Sequence, residues 1–291
     1  MSPWPQHVEI REVGPRDGLQ AERPIPVGDR AALIDALAAT GASDIEAVAF
    51  VSPRLVPAMA GATDVLAQIS RRPGVRYWAL VPNARGAEAA LAAGVDGLSV
   101  TASASETYSE KNVGMSVAES VAELGRIAGL VEGRLPVDAV VSCAFGSPFE
   151  GDIAPGAVAA LGRQLLAAGA TALTFADTTG MASPRRIAAL LRETGTTVGL
   201  HLHDTRGTAL VNAFAALQEG VGRFDCSVGG LGGSPFAPGA GGNLATEDLV
   251  HLLDDLGVST GIDLTALLAA SQLVASLVGH AVPSRVAHAL V

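Results

Sequence analysis

The sequence predicts an α/β fold: a (β/α)8 TIM barrel with extra C-terminal helices. Short apolar runs rich in Val, Leu and Ile alternate with Ala- and Leu-rich amphipathic segments along all 291 residues. Eight such runs are each followed by a helical segment, which is the element count of this barrel. One repeat takes roughly 25 to 40 residues, the length of a strand–helix–strand unit. A doubly wound open sheet is the alternative, but no G-x-G-x-x-G motif follows the first strand.

Two kinds of periodicity place the elements in order. Strands are predicted where short apolar runs are bounded by Gly, Pro or polar residues: residues 7–13, 43–50, 75–81, 97–102, 137–143, 172–177, 197–203 and 223–228. Helices are predicted where apolar residues recur at intervals of three and four: residues 27–39, 63–70, 86–92, 117–130, 155–168, 184–193, 208–218 and 246–256. Further helices are expected over about 262–291, beginning with the stretch 263–280.

Composition bounds the class of protein. No linker or shift in composition divides the chain, so we expect one domain over residues 1–291. Hydrophobic residues make up 49% and charged residues only 16%, which excludes a disordered chain. The net charge of −10, with no basic run longer than two residues, argues against nucleic-acid and anionic-membrane partners.

The same sequence predicts a cytoplasmic location. No stretch reaches the roughly 18 apolar residues of a membrane span, and residues 1–6 show no signal-peptide pattern. The two cysteines cannot form a disulfide framework. A reducing compartment is therefore expected.

Polar side chains follow two of the predicted strands where a barrel places its catalytic groups, at the strands' carboxyl ends. The first strand runs into Arg16 and Asp17. The seventh contains His201 and His203, which point to the same side because they are two residues apart in a strand. For an isolated His-x-His motif, two core histidines are the alternative interpretation.

A glycine-rich segment after the eighth strand adds a further group. Residues 229–242 hold seven glycines, which predicts a mobile lid over the barrel mouth, and Asn243 follows directly. Two imidazoles (His201 and His203), the carboxylate of Asp17 and the amide oxygen of Asn243 suit an octahedral divalent cation. We therefore predict Mg²⁺ or Mn²⁺, with Zn²⁺ less favoured.

Other polar residues near the predicted rim are candidates for supporting roles. A fixed guanidinium at Arg16 suits stabilisation of a developing enolate or oxyanion, although a surface ion pair with Asp17 is the alternative. Glu46 and Asp177 lie near the ends of the second and sixth strands. Each is expected to orient Arg16 or a metal-bound water, or else to satisfy loop amides.

Two further observations narrow the chemistry. Lys111 is the single lysine among 19 basic residues and is predicted to lie in a loop well past the fourth strand. Barrels that break carbon–carbon bonds commonly use an imine-forming lysine or a metal. If this barrel cleaves such bonds, it is therefore expected to use a metal, since no other lysine exists to form an imine. Cys143 lies near the rim without a basic partner and is expected to be a buried small hydrophobe.

The motifs of this chain, and their order along it, resemble those of the hydroxymethylglutaryl-CoA lyases of the DRE-TIM metallolyase superfamily over nearly the whole chain. The resemblance is carried by residues 12–20 (EVGPRDGLQ), 50–53 (FVSP), 106–112, 141–144 (VSCA), 177–178, 201–205 (HLHDT) and 229–248. It implies the metal ligands Asp17, His201, His203 and Asn243. It also implies Arg16 as the enolate-stabilising group, Gln20 and Asp177 at the substrate, and Glu46 as a supporting catalytic residue.

The implied reaction is metal-dependent cleavage of 3-hydroxy-3-methylglutaryl-CoA to acetyl-CoA and acetoacetate, in an enzyme that is often a homodimer. His201 or a metal-linked water is expected to remove the hydroxyl proton. One departure concerns Ser234, which stands where the family normally carries a catalytic cysteine in Gly-Gly-Cys-Pro. A hydroxyl is a far weaker acid than a thiol, whose pKa is near 8.5. Ser234 is therefore expected to relay a proton through hydrogen bonds, or another group replaces it.

Three alternatives stay open. The first is a lyase for another 3-hydroxy-3-substituted acyl-CoA, which the change at Ser234 favours. The second is a synthase that condenses acetyl-CoA with a 2-oxo acid; such enzymes usually carry long C-terminal extensions, whereas 32 residues follow Ser259 here. The third is a catalytically inactive barrel that binds CoA and metal.

Overall fold

The prediction of a TIM barrel is confirmed by a computed structural model, which describes residues 4–233 and 241–290. Within these residues, eight parallel strands close into a barrel in sequential order. They are β1 (Glu9–Glu12), β2 (Asp44–Ala49), β3 (Arg76–Val81), β4 (Gly97–Ser103), β5 (Val137–Ser142), β6 (Ala172–Ala176), β7 (Gly199–His201) and β8 (Arg223–Cys226). Pairing of β1 with β8 joins Ile10 to Phe224 and closes the barrel.

Helices surround the barrel on its outer side, as the crossover connections between parallel strands require. In the described part of the chain they are α1 (Val27–Ala39), α2 (Ala62–Gln68), α3 (Ala84–Ala92), α4 (Glu106–Val113), α5 (Val117–Val131), α6 (Pro155–Ala167), α7 (Pro184–Thr194), α8 (Ala209–Glu219), α9 (Thr246–Asp255), α10 (Leu264–Val278) and α11 (Arg285–Leu290). Each predicted strand and helix is present, with ends within two residues of the prediction. The predicted C-terminal helices correspond to α10 and α11.

One prediction about local structure is wrong. Lys111 lies in the last turn of α4 and not in a loop. The helix forms because the Ser105 hydroxyl accepts a hydrogen bond from the backbone N–H of Tyr108 (3.0 Å) and caps its N-terminus. The helix is short and largely polar, so it lacks the apolar periodicity from which a helix is predicted.

A charged layer crosses the barrel interior below its carboxyl end. Arg11 of β1, which is 5% exposed, donates two hydrogen bonds to the Asp225 carboxylate of β8 at 2.9 and 2.8 Å. It also pairs with Asp138 of β5 at 2.8 Å and donates to the Ser99 hydroxyl of β4 at 3.2 Å. Because a buried charge is tolerated only when it is paired, these contacts fix Arg11 and Asp225 beneath the site described below.

The rest of the core is apolar, and α10 packs on α1 outside the barrel. Across the described segments, no helix has both the length and the apolar character to cross a membrane.

Candidate active site and metal centre

A tight turn after β1 carries Arg16 and Asp17 to the carboxyl end of the barrel. Residues Gly14–Gly18 form one turn of π-helix, a form often found at functional sites. A Cβ added to Gly14 would lie 2.6 Å from a carboxylate oxygen of Glu12, and one added to Gly18 would lie 2.7 Å from the Ser227 hydroxyl. Glycine at both positions therefore lets the turn pack against the end of β8.

Four of the predicted residues meet at one buried point. The ligand atoms of Asp17, His201 and His203 lie within 4.8 Å of one another. Asn243 joins them, because its amide nitrogen donates to Asp17 Oδ2 at 2.7 Å and its backbone forms an antiparallel bridge with His203. All four side chains are buried. The chain thus brings residues from the turn after β1, from the end of β7 and just beyond it, and from the segment after β8 into one cluster.

The hydrogen bonds of the two histidines fix which nitrogens face the cluster. His203 Nδ1 lies 3.0 Å from the Gly241 carbonyl, which can only accept, so Nδ1 carries the proton. His201 Nδ1 lies 3.3 Å from the Asp225 carboxylate, an acceptor held in place by Arg11. Both Nε2 atoms therefore point inward, 3.2 Å apart. In neutral imidazoles these are two lone pairs facing each other, which favours a cation between them.

Asn243 offers the cluster an oxygen. Its two amide hydrogens are used, by Asp17 and by the Leu231 carbonyl at 3.0 Å, which fixes the orientation of the amide. Its Oδ1 is buried without a hydrogen-bond partner among the described atoms. A buried acceptor without a partner is costly, and a metal ion would satisfy it. The donor set of two imidazole nitrogens, a carboxylate and an amide oxygen therefore fits a divalent cation.

Charge around the cluster favours an ionised Asp17, a neutral His203 and a positive charge at His201. The pKa of Asp17 is held at about 2, because Arg16 and the two histidines outweigh the effect of burial. Burial, with the charge of His201, lowers the pKa of His203 to about 4. The pKa of His201 is raised, since the Asp225 hydrogen bond and the charges of Asp17 and Asp225 outweigh its burial. A single positive charge between the rings, proton or metal ion, is the favoured state.

Arg16 is buried in an ion-pair network and is not a surface residue. Its Nε donates to Glu46 Oε2 and its Nη1 to Asp17 Oδ1, and its side chain is only 9% exposed. Burial lowers the pKa of Arg16, but the charges of Glu46 and Asp17 raise it by more, so the guanidinium stays charged. Glu46 on β2 is fully buried and contacts Arg16 directly, while its role as a supporting catalytic residue stays a prediction.

The cluster lies against a cavity of about 490 Å³. Arg16, Asp17, His201 and His203 line it, together with apolar, polar and charged side chains of the strands, the loops and α4. This size is in the range of pockets that bind small molecules. The cavity therefore gives the candidate metal centre access to a substrate.

Comparison with known proteins assigns the chain to a family. A sequence profile of the HMGL-like family matches residues 7–274. The chain belongs to the HMGL-like family. It is 46% identical to a hydroxymethylglutaryl-CoA lyase of Pseudomonas mevalonii over 292 residues, which covers 98% of this chain and 97% of the relative. It is 43% identical to a 3-hydroxy-3-isohexenylglutaryl-CoA/hydroxy-methylglutaryl-CoA lyase of Pseudomonas aeruginosa, with 98% of each protein covered.

Solved structures agree with the family assignment. An HMG-CoA lyase of Acinetobacter baumannii, solved in complex with coenzyme A and 3-methylmalate, has a TM-score of 0.94 and 40% sequence identity to this chain. The alignment covers 98% of this chain and 95% of that structure. The likeness therefore extends over the whole barrel.

The structure places the remaining predicted residues in different surroundings. Gln20 lines the cavity and donates to Asp17 Oδ1 at 2.9 Å and to the Gly233 carbonyl at 3.4 Å. Asp177 is absent from the described cavity lining, and its carboxylate accepts a hydrogen bond from the Ala182 amide at 2.8 Å. A substrate contact by Asp177 stays a prediction. Ser234 lies outside the described residues, so its role also stays a prediction.

Sequence reasoning missed Asp225 and Arg11, which hold His201 from below, and the position of Lys111 on the cavity wall. Asp225 occupies an inward-facing strand position next to His201 in register. A charged residue at such a position is unusual in a barrel core. That pattern was the available signal for a buried polar network.

Proposed function

We propose that this chain is a divalent-metal-dependent carbon–carbon lyase that cleaves 3-hydroxy-3-methylglutaryl-CoA to acetyl-CoA and acetoacetate. The observation that carries the proposal is the cluster of Asp17, His201, His203 and Asn243 at the buried side of the cavity. The family and the relatives named above support the same reaction. We further propose that residues 1–291 act as one lyase domain.

The four residues would hold Mg²⁺ or Mn²⁺. Oxygen-rich, mixed nitrogen and oxygen sites with room for substrate suit these ions better than the closed tetrahedral sites of Zn²⁺. When bound, such an ion supplies Lewis-acid polarisation of substrate carboxylate and hydroxyl oxygens.

Arg16 would stabilise the negative charge that bond cleavage creates. Loss of the hydroxyl proton to a water molecule at the site would let the C2–C3 bond break, which forms the ketone of acetoacetate and leaves the bonding electron pair on the thioester enolate. Protonation of that enolate then gives acetyl-CoA. Glu46 and Asp17 occupy the Nε and one Nη1 hydrogen of Arg16, so the remaining N–H groups of the guanidinium are available to an enolate oxygen at the cavity wall.

The ligand role of His201 competes with the base role predicted for it. With Nδ1 bonded to Asp225 and Nε2 directed at the cluster, neither nitrogen is left to accept a substrate proton. We therefore propose ligation for His201. Asp177 has a pKa raised to about 7 by burial. Because its carboxylate accepts from the Ala182 amide and is absent from the described cavity lining, we propose a positioning role for it.

Residues 229–242 would act as the lid that excludes water while the enolate exists. The described ends of this segment support the proposal, because each contacts a site residue: Gly233 accepts from Gln20 and Gly241 from His203. A Cβ on Gly232 would lie 2.3 Å from the Asn243 amide nitrogen, so the chain passes very close to the cluster here. Return of a proton to the enolate is the role proposed for Ser234.

A second substrate is favoured by one observation. The Pseudomonas aeruginosa relative is named for an isohexenyl as well as a methyl substituent at C3. The cavity of this chain has apolar walls at Leu55, Leu80 and Val140. A lyase for a bulkier 3-hydroxy-3-substituted acyl-CoA is therefore the second candidate, and kcat/KM for the two thioesters decides between them.

The experiment that tests the main proposal follows acetyl-CoA release from 3-hydroxy-3-methylglutaryl-CoA by the purified protein with Mn²⁺. We expect turnover in the wild type and a loss of about 100-fold or more in kcat for Arg16→Gln. Arg71→Gln is the matched control, because Arg71 forms an exposed ion pair with Asp96 away from the cavity. Full activity in Arg16→Gln would contradict the proposal that Arg16 stabilises the enolate.

We also propose a cytoplasmic homodimer, as the resemblance to the lyase family suggests. Light scattering of the purified protein measures the oligomeric state, and a monomer mass near 29.3 kDa would contradict the dimer.

A further inference from the structure

Helix α4 forms part of the cavity wall on its solvent-facing side. Tyr108 and Lys111 of this helix line the cavity. Tyr108 is buried, whereas Lys111 is exposed. Arg16 and the four residues of the candidate metal centre are buried. The cavity therefore runs from a buried end with the candidate metal centre to an exposed end with an ammonium group.

The loop after β5 fixes α4 in this position. The Glu150 carboxylate accepts hydrogen bonds from the hydroxyls of Ser105 and Ser147 and from the backbone amide of Thr107 at 3.0 Å. These hydrogen bonds hold the pKa of Glu150 at about 2 despite the effect of its partial burial. The Glu150 carboxylate therefore stays ionised at neutral pH, and its hydrogen bonds hold the first turn of α4 against the β5–α6 loop.

The same loop positions the lysine side chain. The Nζ atom of Lys111 lies 5.4 Å from the centroid of the Phe149 ring, a cation–π distance. Phe149 is itself 41% exposed. The ring thus supports the ammonium group at the cavity mouth without neutralising its charge.

Charge balance makes Lys111 distinctive. Among the described residues that line the cavity, Arg16 carries the other permanent positive charge, and two carboxylates neutralise it. Lys111 forms no ion pair with any carboxylate in the described part of the chain, although the protein has 29 acidic residues. Among the described residues, the exposed end of the cavity therefore presents an ammonium group without an ion-pair partner, although the exposed Glu110 lies next to it in the chain and also lines the cavity.

We propose that Lys111 binds the phosphate groups of the coenzyme A portion of the substrate. This inference rests on the proposed function, because it takes the substrate to be an acyl-CoA. With the acyl group at the candidate metal centre, the nucleotide end of the substrate extends out through the exposed end of the cavity. A polyanion approaching a protein of net charge −10 is repelled at long range, so a local cation at the mouth offsets that repulsion.

The test compares ligands that do and do not carry phosphate. Kd values for CoA, 3′-dephospho-CoA and pantetheine are measured by calorimetry on the wild type and on Lys111→Met, with the exposed Arg163→Met on α6 as control. We expect about a tenfold weaker Kd for CoA in Lys111→Met, no change for pantetheine, and no effect of the control. Lys111→Arg should keep most of the affinity. A weaker Kd for CoA but not for 3′-dephospho-CoA assigns the contact to the 3′-phosphate, and equal weakening assigns it to the diphosphate.

Steady-state kinetics adds a readout that a purely structural role would not move. For 3-hydroxy-3-methylglutaryl-CoA we expect Lys111→Met to raise KM with kcat unchanged, and for the pantetheine thioester to change neither. Equal losses for CoA and pantetheine would mean that Lys111 merely stabilises the end of α4, and an unchanged Kd for CoA would also overturn the proposal. Because calorimetry needs no turnover, a failure of the lyase proposal is seen separately, as CoA binding without cleavage.

Discussion

At the scale of single residues, the candidate metal centre depends on hydrogen bonds that lie one layer below the ligands. Asp225 accepts from His201 Nδ1, and Arg11 holds Asp225 through two hydrogen bonds. Arg11 thereby keeps the carboxylate ionised, since its charge outweighs burial and lowers the pKa of Asp225. A fixed carboxylate sets the tautomer and raises the basicity of a ligating imidazole.

Replacement of Asp225 by Asn should therefore weaken metal binding. A neutral amide accepts more weakly and can present an N–H to His201, so we expect Mn²⁺ affinity to fall about 10- to 100-fold. Calorimetric titration of the metal-free protein measures this without any assay of activity. Asp152→Asn, in an exposed ion pair with Arg186, is the control. Unchanged Mn²⁺ affinity in Asp225→Asn, with intact far-UV circular dichroism, would contradict the positioning role.

The side chains that we propose as ligands could be predicted from the sequence, whereas Asp225 and Arg11, which lie beneath them, could not. Asp17, His201 and His203 follow or end apolar runs, where barrel topology places catalytic groups. Asp225 lies within such a run, three residues from its end, and Arg11 lies within the first. An isolated charged residue in a strand has no partner visible in the sequence. Its partner is supplied by barrel closure, which pairs Arg11 with Asp225 across 214 positions.

At the scale of elements, the predicted strands extend beyond the observed ones where the chain leaves the ladder to build the site. β7 ends at His201, while His203 forms an isolated bridge with Asn243. The alternation of His201 and His203 predicts one continuous strand. The sequence does not show that β7 loses its hydrogen-bonded neighbouring strands after His201. The polar helix α4 was missed for the opposite reason: its N-cap, and not its periodicity, defines it.

Close packing between strands makes one glycine in β4 necessary. A Cβ on Gly97 would lie 2.5 to 2.7 Å from three carbons of the Trp78 ring. That ring cannot move freely, because its Nε1 donates to Asp44 at 2.7 Å and Arg11 lies 5.2 Å from its centroid. Gly97→Ala should lower the free energy of unfolding by about 1–3 kcal/mol.

Gly129 in α5 gives the matched control for this prediction. Among the described residues outside its own stretch of helix, no heavy atom lies within 4 Å of the position of an added Cβ. Gly129→Ala should therefore stabilise the protein by about 0.5–1 kcal/mol through helix propensity. Urea unfolding of both variants measures the two effects. A Gly97→Ala variant as stable as the wild type would show that the strands around Trp78 are not packed as described.

At the scale of the whole molecule, closure of the barrel brings distant parts of the chain together. The Asp17–Asn243 hydrogen bond joins residues 226 positions apart. Buried carboxylates tie the same region: Glu12 accepts from the Val228 amide at 2.8 Å and Glu247 from the Gly229 amide at 2.8 Å. The sequence predicted the fold that makes these contacts, because the repeat of strands and helices is regular, but not the contacts themselves.

Those carboxylates should make the stability of the protein depend on pH. Burial raises the pKa of Glu247 from its ordinary value of 4.5 to about 7, despite the hydrogen bond from Gly229. Between these two values the folded state binds a proton that the unfolded chain has lost, so the stabilising contribution is present below pH 4.5 and is lost as the pH rises to 7. Glu247→Gln should reduce this fall in the free energy of unfolding by about 1–3 kcal/mol.

Urea unfolding at pH 5 and pH 8 measures the effect, with the exposed Glu219→Gln on α8 as control. An identical pH dependence in Glu247→Gln and in the wild type would show that Glu247 ionises normally in the folded protein.

The most direct test of the central claim measures cleavage of 3-hydroxy-3-methylglutaryl-CoA by protein stripped of metal and then titrated with Mn²⁺. We predict no acetyl-CoA release from the stripped protein and recovery that saturates at one ion per chain. His203→Ala should need far more Mn²⁺ for the same rate, because it removes one of the four ligands. Full turnover in the stripped protein would contradict a catalytic metal held by Asp17, His201, His203 and Asn243. The same Mn²⁺ dependence of the rate in His203→Ala and in the wild type would contradict it as well.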